Sequence, residues 1–405
     1  MEQTFKVFVP DSEIELLHKK LELIRFPDEL EDAGWDYGVP LAHVKRLIEH
    51  WKDGYDWREA EARINTLPQF TRDVEVDGFG ALNIHYVHQR STVENAIPLL
   101  FIHGWPGHFL EVQKLLPLLT AAASNDQPSF HVVALSLPNF GFSEAPKKKG
   151  FGAHQYAEVC NNLMLALGYN EYVVQGGDWG YFLGKVIAAD YGHKTVKAWH
   201  TNMPIAGPPN FWTHPGRFLA FLGSLVLPWS ERDKVGIARA MQTRKKGMGY
   251  FKEQSTKPQT LGYSLADSPA GLLAWIYEKL VNWTDGYPWT DDEVLTWISV
   301  YWFSRAGPAA SVRIYYEIAG QGDLPVADIK WSSIPLGLSY FPKEVAVVPK
   351  LWSRAIGNVV HESDHEFGGH FAAFERPEDL ANDVRAMFAK GGPAYGVVKG
   401  KDGYA

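Results

Sequence analysis

Hydrophobic and polar positions along the chain follow three regimes. From residue 6 to about 65 the apolar residues recur at helical spacing. Ile14, Leu17, Leu21 and Ile24 form one stripe, and Ser12-Glu13-Ile14-Glu15 has the form of a capping box. A helix is therefore expected through Leu23, ended by Pro27. Two more helices are expected near residues 42–51 and 57–64, and the segment carries no chemical constellation, so it reads as a packing arm. From Thr71 the period shortens to two. Strands are expected at 73–76, 82–87, 98–102, 131–135, 172–174 and 196–200, with helices near 110–123 and 154–167 between the later ones. That alternation implies right-handed βαβ units and a mostly parallel sheet flanked by helices, an α/β fold. Residues 204 to about 325 break the pattern, being helical, aromatic and interrupted by prolines, and read as a helical lid. Alternation resumes with a strand at 335–340, a helix near 349–355, a strand at 358–361 and a last helix near 377–389. The expected organisation is an arm (1–70), a core (71–203 and 326–391), a lid (204–325) and a Gly-rich flexible C-terminal tail (392–405).

The chemistry is expected at a turn. Gln175-Gly176-Gly177-Asp178-Trp179-Gly180 follows the apolar run 172–174 and opens into a helical pattern. Strand, sharp Gly-x-Asp-x-Gly turn and helix together form the nucleophile elbow of α/β-hydrolases, with Asp in the place where Ser is better known. Aspartate is ionised at neutral pH and needs no base to act as a nucleophile. Taken alone, Asp178 reads equally well as a turn residue capping the next helix.

Composition narrows the partners. The chain has 405 residues, 46% hydrophobic and 21% charged, ordinary values for a globular protein with room for a large core. Its 15 Trp suit an apolar pocket. A net charge of -8, with Lys147-Lys148-Lys149 the one basic cluster, argues against nucleic acid. The single Cys160 fits a reducing compartment, and a cytoplasmic location is expected. No signal peptide is expected at the first residues, and the apolar run near 218–229 is too interrupted to span a bilayer. The sequon at Asn282-Trp283-Thr284 reads as chance.

A hydrolase of this architecture presents nucleophile, acid and His in that chain order. His370, after Gly368-Gly369 and the last expected strand, is the candidate base. Glu344, in Phe341-Pro342-Lys343-Glu344, is the preferred orienting acid, with Asp364 and Glu366 as rivals. The backbone amides of Trp105, in His103-Gly104-Trp105-Pro106, and of Trp179 are the candidate oxyanion hole. Trp105, Pro106, Phe142 and Trp179 stand as candidate substrate-binding residues. The His361, Asp364, His365, Glu366 group reads as a polar loop rather than a metal site.

These motifs resemble those of the epoxide hydrolases of microsomal and fungal type. The similarity covers nearly the whole chain: residues 5–70, His103-Gly104-Trp105-Pro106-Gly107, Gly176-Gly177-Asp178-Trp179-Gly180 and residues 368–375. The resemblance implies conversion of an apolar or aryl epoxide and water to a vicinal diol, without metal or cofactor. It also implies two lid tyrosines on the epoxide oxygen, matched by Tyr250 and Tyr315, with Tyr316 adjacent. The microsomal branch carries an N-terminal membrane anchor that is not read in these residues, so the chain resembles the fungal branch, no membrane span is expected, and a homodimer is left open. Two other readings compete: a haloalkane dehalogenase-like hydrolase, and a catalytically silent binding protein on the same fold.

Overall fold

The computed structural model describes residues 2–121, 127–207, 229–320 and 330–405, together with 216, 218 and 222. Nine strands form one sheet: β1 (Gln3–Thr4), β2 (Gln69–Val76), β3 (Gly80–Gln89), β4 (Ile97–Ile102), β5 (Phe130–Leu135), β6 (Tyr172–Gly176), β7 (Val196–Thr201), β8 (Pro335–Tyr340) and β9 (Asn358–Asp364). Their order is β1-β2-β3-β5-β4-β6-β7-β8-β9. The first three strands pair antiparallel and the remainder run parallel from β5 onward.

Alternate side chains of the central strands feed two cores. Leu99, Phe101, Val132, Ala134 and Val173 join one cluster with α4 (Leu115–Thr120) and α14 (Pro377–Phe388). Leu100, Ile102, Val133, Leu135 and Val174 join the other with α5 (Ala153–Ala166) and α6 (Trp179–Tyr191). The period of two thus makes a three-layer α/β/α sandwich, each fully buried aliphatic side chain contributing roughly 1.5–3 kcal/mol.

The expected elements form with shifted ends. Helix α1 spans Asp11–Glu22 and starts at Pro10 with no side-chain cap, so Ser12 lies inside it and the capping-box expectation fails. The helix expected over 110–123 forms as a 3-10 turn, Phe109–Val112, followed by α4, which starts two residues before Pro117. Helices α2 (Leu41–Asp53) and α3 (Trp57–Ile64) complete the arm.

The lid expectation falls partly outside the described residues, as does most of the apolar run 218–229. Its described part holds α7 (Glu231–Gln242), α8 (Gly249–Thr256), α9 (Pro258–Asp267), α10 (Pro269–Asn282) and α11 (Asp291–Trp302). Arm and lid share a core: Leu17, Leu47, Ile48 and Trp51 are buried in the same cluster as Leu272, Leu273 and Ile276. Arg46 pairs with Asp291, and His50 with Asp292 at 2.8 Å, across that junction.

The tail corrects its expectation. It has no helix or strand, yet it is fastened beside the starts of the central strands β4 and β5. Gly403 donates to the Asn95 carbonyl and accepts from the Ser129 amide, both at 2.8 Å. Val398 and Tyr404 are buried. Glycine-rich composition here serves turns, with Gly403 at φ 87, rather than mobility. Truncation after Gly391 should therefore destabilise the fold by at least about 2 kcal/mol, from lost apolar burial alone. Chemical denaturation measures it, and an unchanged midpoint would restore the mobile tail.

Candidate active site

Parallel strands deliver the functional groups to one edge, because the loops after their carboxyl ends all open on the same side. His103-Gly104-Trp105 follows β4, Asp178 follows β6, Glu344 follows β8 and His370 follows β9. Asp178 holds φ 51 and ψ -124, a left-handed conformation uncommon for a residue with a side chain. The turn closes because its neighbours lack Cβ atoms. A Cβ at Gly180 would overlap the Ile102 carbonyl, and one at Gly104 would overlap the Asp178 side chain. Asp178 is the N-cap position of α6, so its carboxylate sits at the positive end of that helix.

The carboxylate has two partners. The Trp105 amide donates to Oδ1 at 2.7 Å, and His370 Nε2 lies 3.3 Å from Oδ2. The other ring nitrogen of His370, Nδ1, is 2.6 Å from Glu344 Oε1. Both Glu344 and His370 are buried. Burial alone would lower His370, but the Glu344 and Asp178 carboxylates outweigh it and hold the imidazole well above the ordinary histidine range. The rival acids point elsewhere: Asp364 is exposed and paired with Lys350, and Glu366 is exposed. His361 lies on β9, which extends to Asp364 where a loop was expected, and His365 pairs with Asp383 at 2.7 Å.

The lid closes the site with aromatic rings. Tyr250 stacks on Trp105 with ring centres 5.4 Å apart and planes 8° from parallel. Tyr315 meets Trp105 edge-on at 5.6 Å and Trp179 at 4.8 Å. Tyr315 is 2% exposed and its neighbour Tyr316 51%, so the geometry resolves which of the pair faces the site. Burial pushes both Tyr250 and Tyr315 up from the ordinary tyrosine value, leaving two neutral O–H donors at neutral pH. Lid helix α11 also grips the turn after Trp105. Trp297 Nε1 donates to the Pro106 carbonyl and the Tyr301 hydroxyl to the Gly107 carbonyl, each at 2.6 Å. The His370 amide donates to the Trp283 carbonyl at 2.8 Å.

The small cavity beside Asp178, about 10 Å³, has room for about one water. Trp105, Glu111, Asn202, His370 and Phe371 are among the residues that line it. Three sequence-derived substrate contacts, Pro106, Phe142 and Trp179, are not among them, Trp179 instead meeting Tyr315 edge-on. Phe142 packs on Phe5, His85 and Phe109 in the opposite core cluster, which corrects its assignment. Pro106 instead presents its carbonyl to Trp297. Glu111 went unforeseen. It faces the cavity, where burial pushes it up to about 8. His103 is a scaffold: Nδ1 donates to the Gly104 carbonyl at 2.9 Å and Nε2 accepts from the Leu137 amide at 3.1 Å.

The family model described as the epoxide hydrolase N terminus matches residues 2–112, and that of the alpha/beta hydrolase fold matches 97–223. A putative epoxide hydrolase of Stigmatella aurantiaca is 39% identical over 95% of this chain and 84% of its own. The chain belongs to the epoxide hydrolases. Epoxide hydrolase 1 of Sus scrofa is 37% identical, over 94% of this chain and 87% of its own. Among solved structures, the Aspergillus niger epoxide hydrolase superposes with a TM-score of 0.83 at 32% identity, over 96% of each chain. The juvenile hormone epoxide hydrolase of Bombyx mori does so with 0.85 at 31%, over 95% of this chain and 93% of its own. This epoxide hydrolase is therefore a hydrolase on the α/β-hydrolase fold. No helix among its described residues is long and apolar enough to cross a membrane.

Because His370 Nδ1 meets Glu344 and not Asp364, Glu344→Gln should slow steady-state epoxide turnover by on the order of a hundredfold. Asp364→Asn should leave the rate within about twofold of the parent. Equal effects of the two would remove Glu344 from the site.

Proposed function

We propose that the enzyme opens apolar or aryl epoxides through a covalent ester on Asp178 and releases vicinal diols. The observation that carries this reading is the double hold on Asp178, by the Trp105 amide at Oδ1 and by His370 at Oδ2. With Oδ1 held, Oδ2 attacks an epoxide carbon and the carbon–oxygen bond of the strained ring breaks. Tyr250 and Tyr315 donate to the oxygen as its charge develops. Their aromatic surroundings, Trp105, Trp179, Phe251 and Trp283, favour an apolar substituent on the substrate.

Ester formation removes the negative charge of Asp178, one of the two that raise His370. The imidazole then gives up its proton more readily, and the alkoxide of the opened ring takes it up to become the first hydroxyl of the diol. The neutral imidazole takes a proton from water while Glu344 holds Nδ1. Water attacks the carbonyl carbon of the ester. The oxyanion forms at Oδ1, already within reach of the Trp105 amide. Trp179 opens α6, so its amide belongs to the unpaired first turn and serves as the second donor. Collapse releases the diol and restores the carboxylate. A dehalogenase would cradle its halide with N–H donors and does not need two phenols. Epoxide turnover without chloroalkane turnover separates the two readings.

His370→Gln should leave alkylation intact and block hydrolysis, so rapid-quench mass spectrometry should find the substrate mass on the peptide containing Asp178. Recovery of unmodified peptide with normal turnover would overturn the role of His370.

Each tyrosine contributes a hydrogen bond to a charged group, worth about 1.5–3 kcal/mol. Tyr250→Phe and Tyr315→Phe should each slow alkylation by roughly ten- to a hundredfold, and Tyr316→Phe should not. Stopped-flow single turnovers measure this, and a damaging Tyr316→Phe would contradict the geometry.

The sign of the pH dependence also follows. Hydrolysis needs neutral His370, so decay of the ester should accelerate as pH rises and then level off. The apparent pKa should lie below that of His370 in the free enzyme, where Asp178 is still charged. Ester that decays faster at low pH would contradict the assignment.

A further inference from the structure

Lid helix α10 buries a lysine beside the site, and no step above uses it. Lys279 is 4% exposed. Its ammonium lies over the ring of Tyr250, 4.7 Å from the centre, and 5.9 Å from each of the rings of Trp275 and Trp283. Burying an ammonium is costly unless charge or π density compensates. The compensation here is modest. Its carboxylate partner is Glu278, the preceding residue on the same helix and itself partly exposed. The aromatic walls are themselves fixed. Trp275 Nε1 donates to Gln254 at 2.7 Å, Trp283 carries the His370 amide on its carbonyl, and Tyr250 stacks on Trp105.

The geometry points to Lys279 as a positioning residue for the ring-opening step: its cation holds the Tyr250 ring and supports the negative charge that develops as the Tyr250 hydroxyl donates to the epoxide oxygen. This rests on the reading of Tyr250 as an oxygen donor. The physical case is one of sign. Burial first, and then the Asp178, Glu278 and Glu344 carboxylates, disfavour negative charge on Tyr250. The charge that appears on the leaving oxygen in the transition state adds to theirs. A cation on the face of the donor ring opposes that cost, and in a desolvated setting such a contact is at its strongest. The effect belongs to ring opening alone. Ester hydrolysis develops its charge at Asp178 Oδ1, on the Trp105 amide, and does not pass through Tyr250.

The test is a double-mutant cycle on the full chain. Single-turnover rates of alkylation and of ester hydrolysis are measured for the parent, Lys279→Met, Tyr250→Phe and the double variant. Methionine keeps the length and apolar stem and removes the charge. Lys279→Met should slow alkylation by on the order of tenfold and leave hydrolysis within about twofold. In the Tyr250→Phe background, which keeps the ring and loses the hydroxyl, the same change should alter alkylation by less than about twofold. Lys279→Arg should retain more of the alkylation rate than Lys279→Met, since guanidinium stays charged and also stacks on rings. Equal slowing in both backgrounds, equal slowing of both steps, or arginine no better than methionine would overturn the inference and make Lys279 a packing residue. If Tyr250→Phe itself leaves alkylation unchanged, the failure lies in the donor assignment on which this rests.

Discussion

Asp178 occupies its place because two neighbouring positions carry no side chain. Its own backbone is in a conformation that a side-chain-bearing residue rarely adopts, and the packing of Gly180 on Ile102 and of Gly104 on Asp178 leaves it no alternative. The other features of the site follow from that turn. It points the carboxylate out of the sheet at the N-terminus of α6 and sets Oδ1 on the Trp105 amide. It also leaves Oδ2 facing His370. The strain is held by the central strands, which are buried on both faces.

Buried charge is the second constraint. Two carboxylates flank one imidazole in a nearly dry cavity. Both carboxylates raise the proton affinity of His370, and an ester on Asp178 would remove one of them. The same event that completes the first half of the proposed reaction thus prepares the base for the second. In the proposed reaction the charge on Asp178 sets the proton affinity of His370 and so orders the two steps. The lid adds neutral phenols where an anion would be repelled, and α11 clamps the carbonyls of Pro106 and Gly107 in the turn that follows the Trp105 amide.

Much of this was legible in the sequence, for identifiable reasons. The sheet was readable because its strands are continuous apolar runs with a period of two, and the elbow because close backbone approach requires glycine at fixed spacing. Glu344 was distinguishable from Asp364 and Glu366 because a residue too near His370 in sequence has difficulty turning back to its far ring nitrogen. The failures share a cause: a residue type compatible with two environments. Phe142 suits a pocket wall or a core equally well, and the register that buries it against Phe109 leaves no local trace. Glu111 resembles any helix-opening carboxylate, and Lys279 any solvated helix lysine, until the lid and core are brought together. The glycines of the tail suggested mobility, yet they serve turns whose anchors, Asn95 and Ser129, lie hundreds of residues away.

The central claim is that an oxygen of Asp178, and not of water, enters the product first. A single turnover with enzyme in excess of an epoxide, run in water enriched in oxygen-18, tests it directly. The account predicts unlabelled diol and one heavy oxygen in the peptide containing Asp178. Labelled diol with an unlabelled Asp178 would mean that water attacks the epoxide itself, and the covalent account would be wrong.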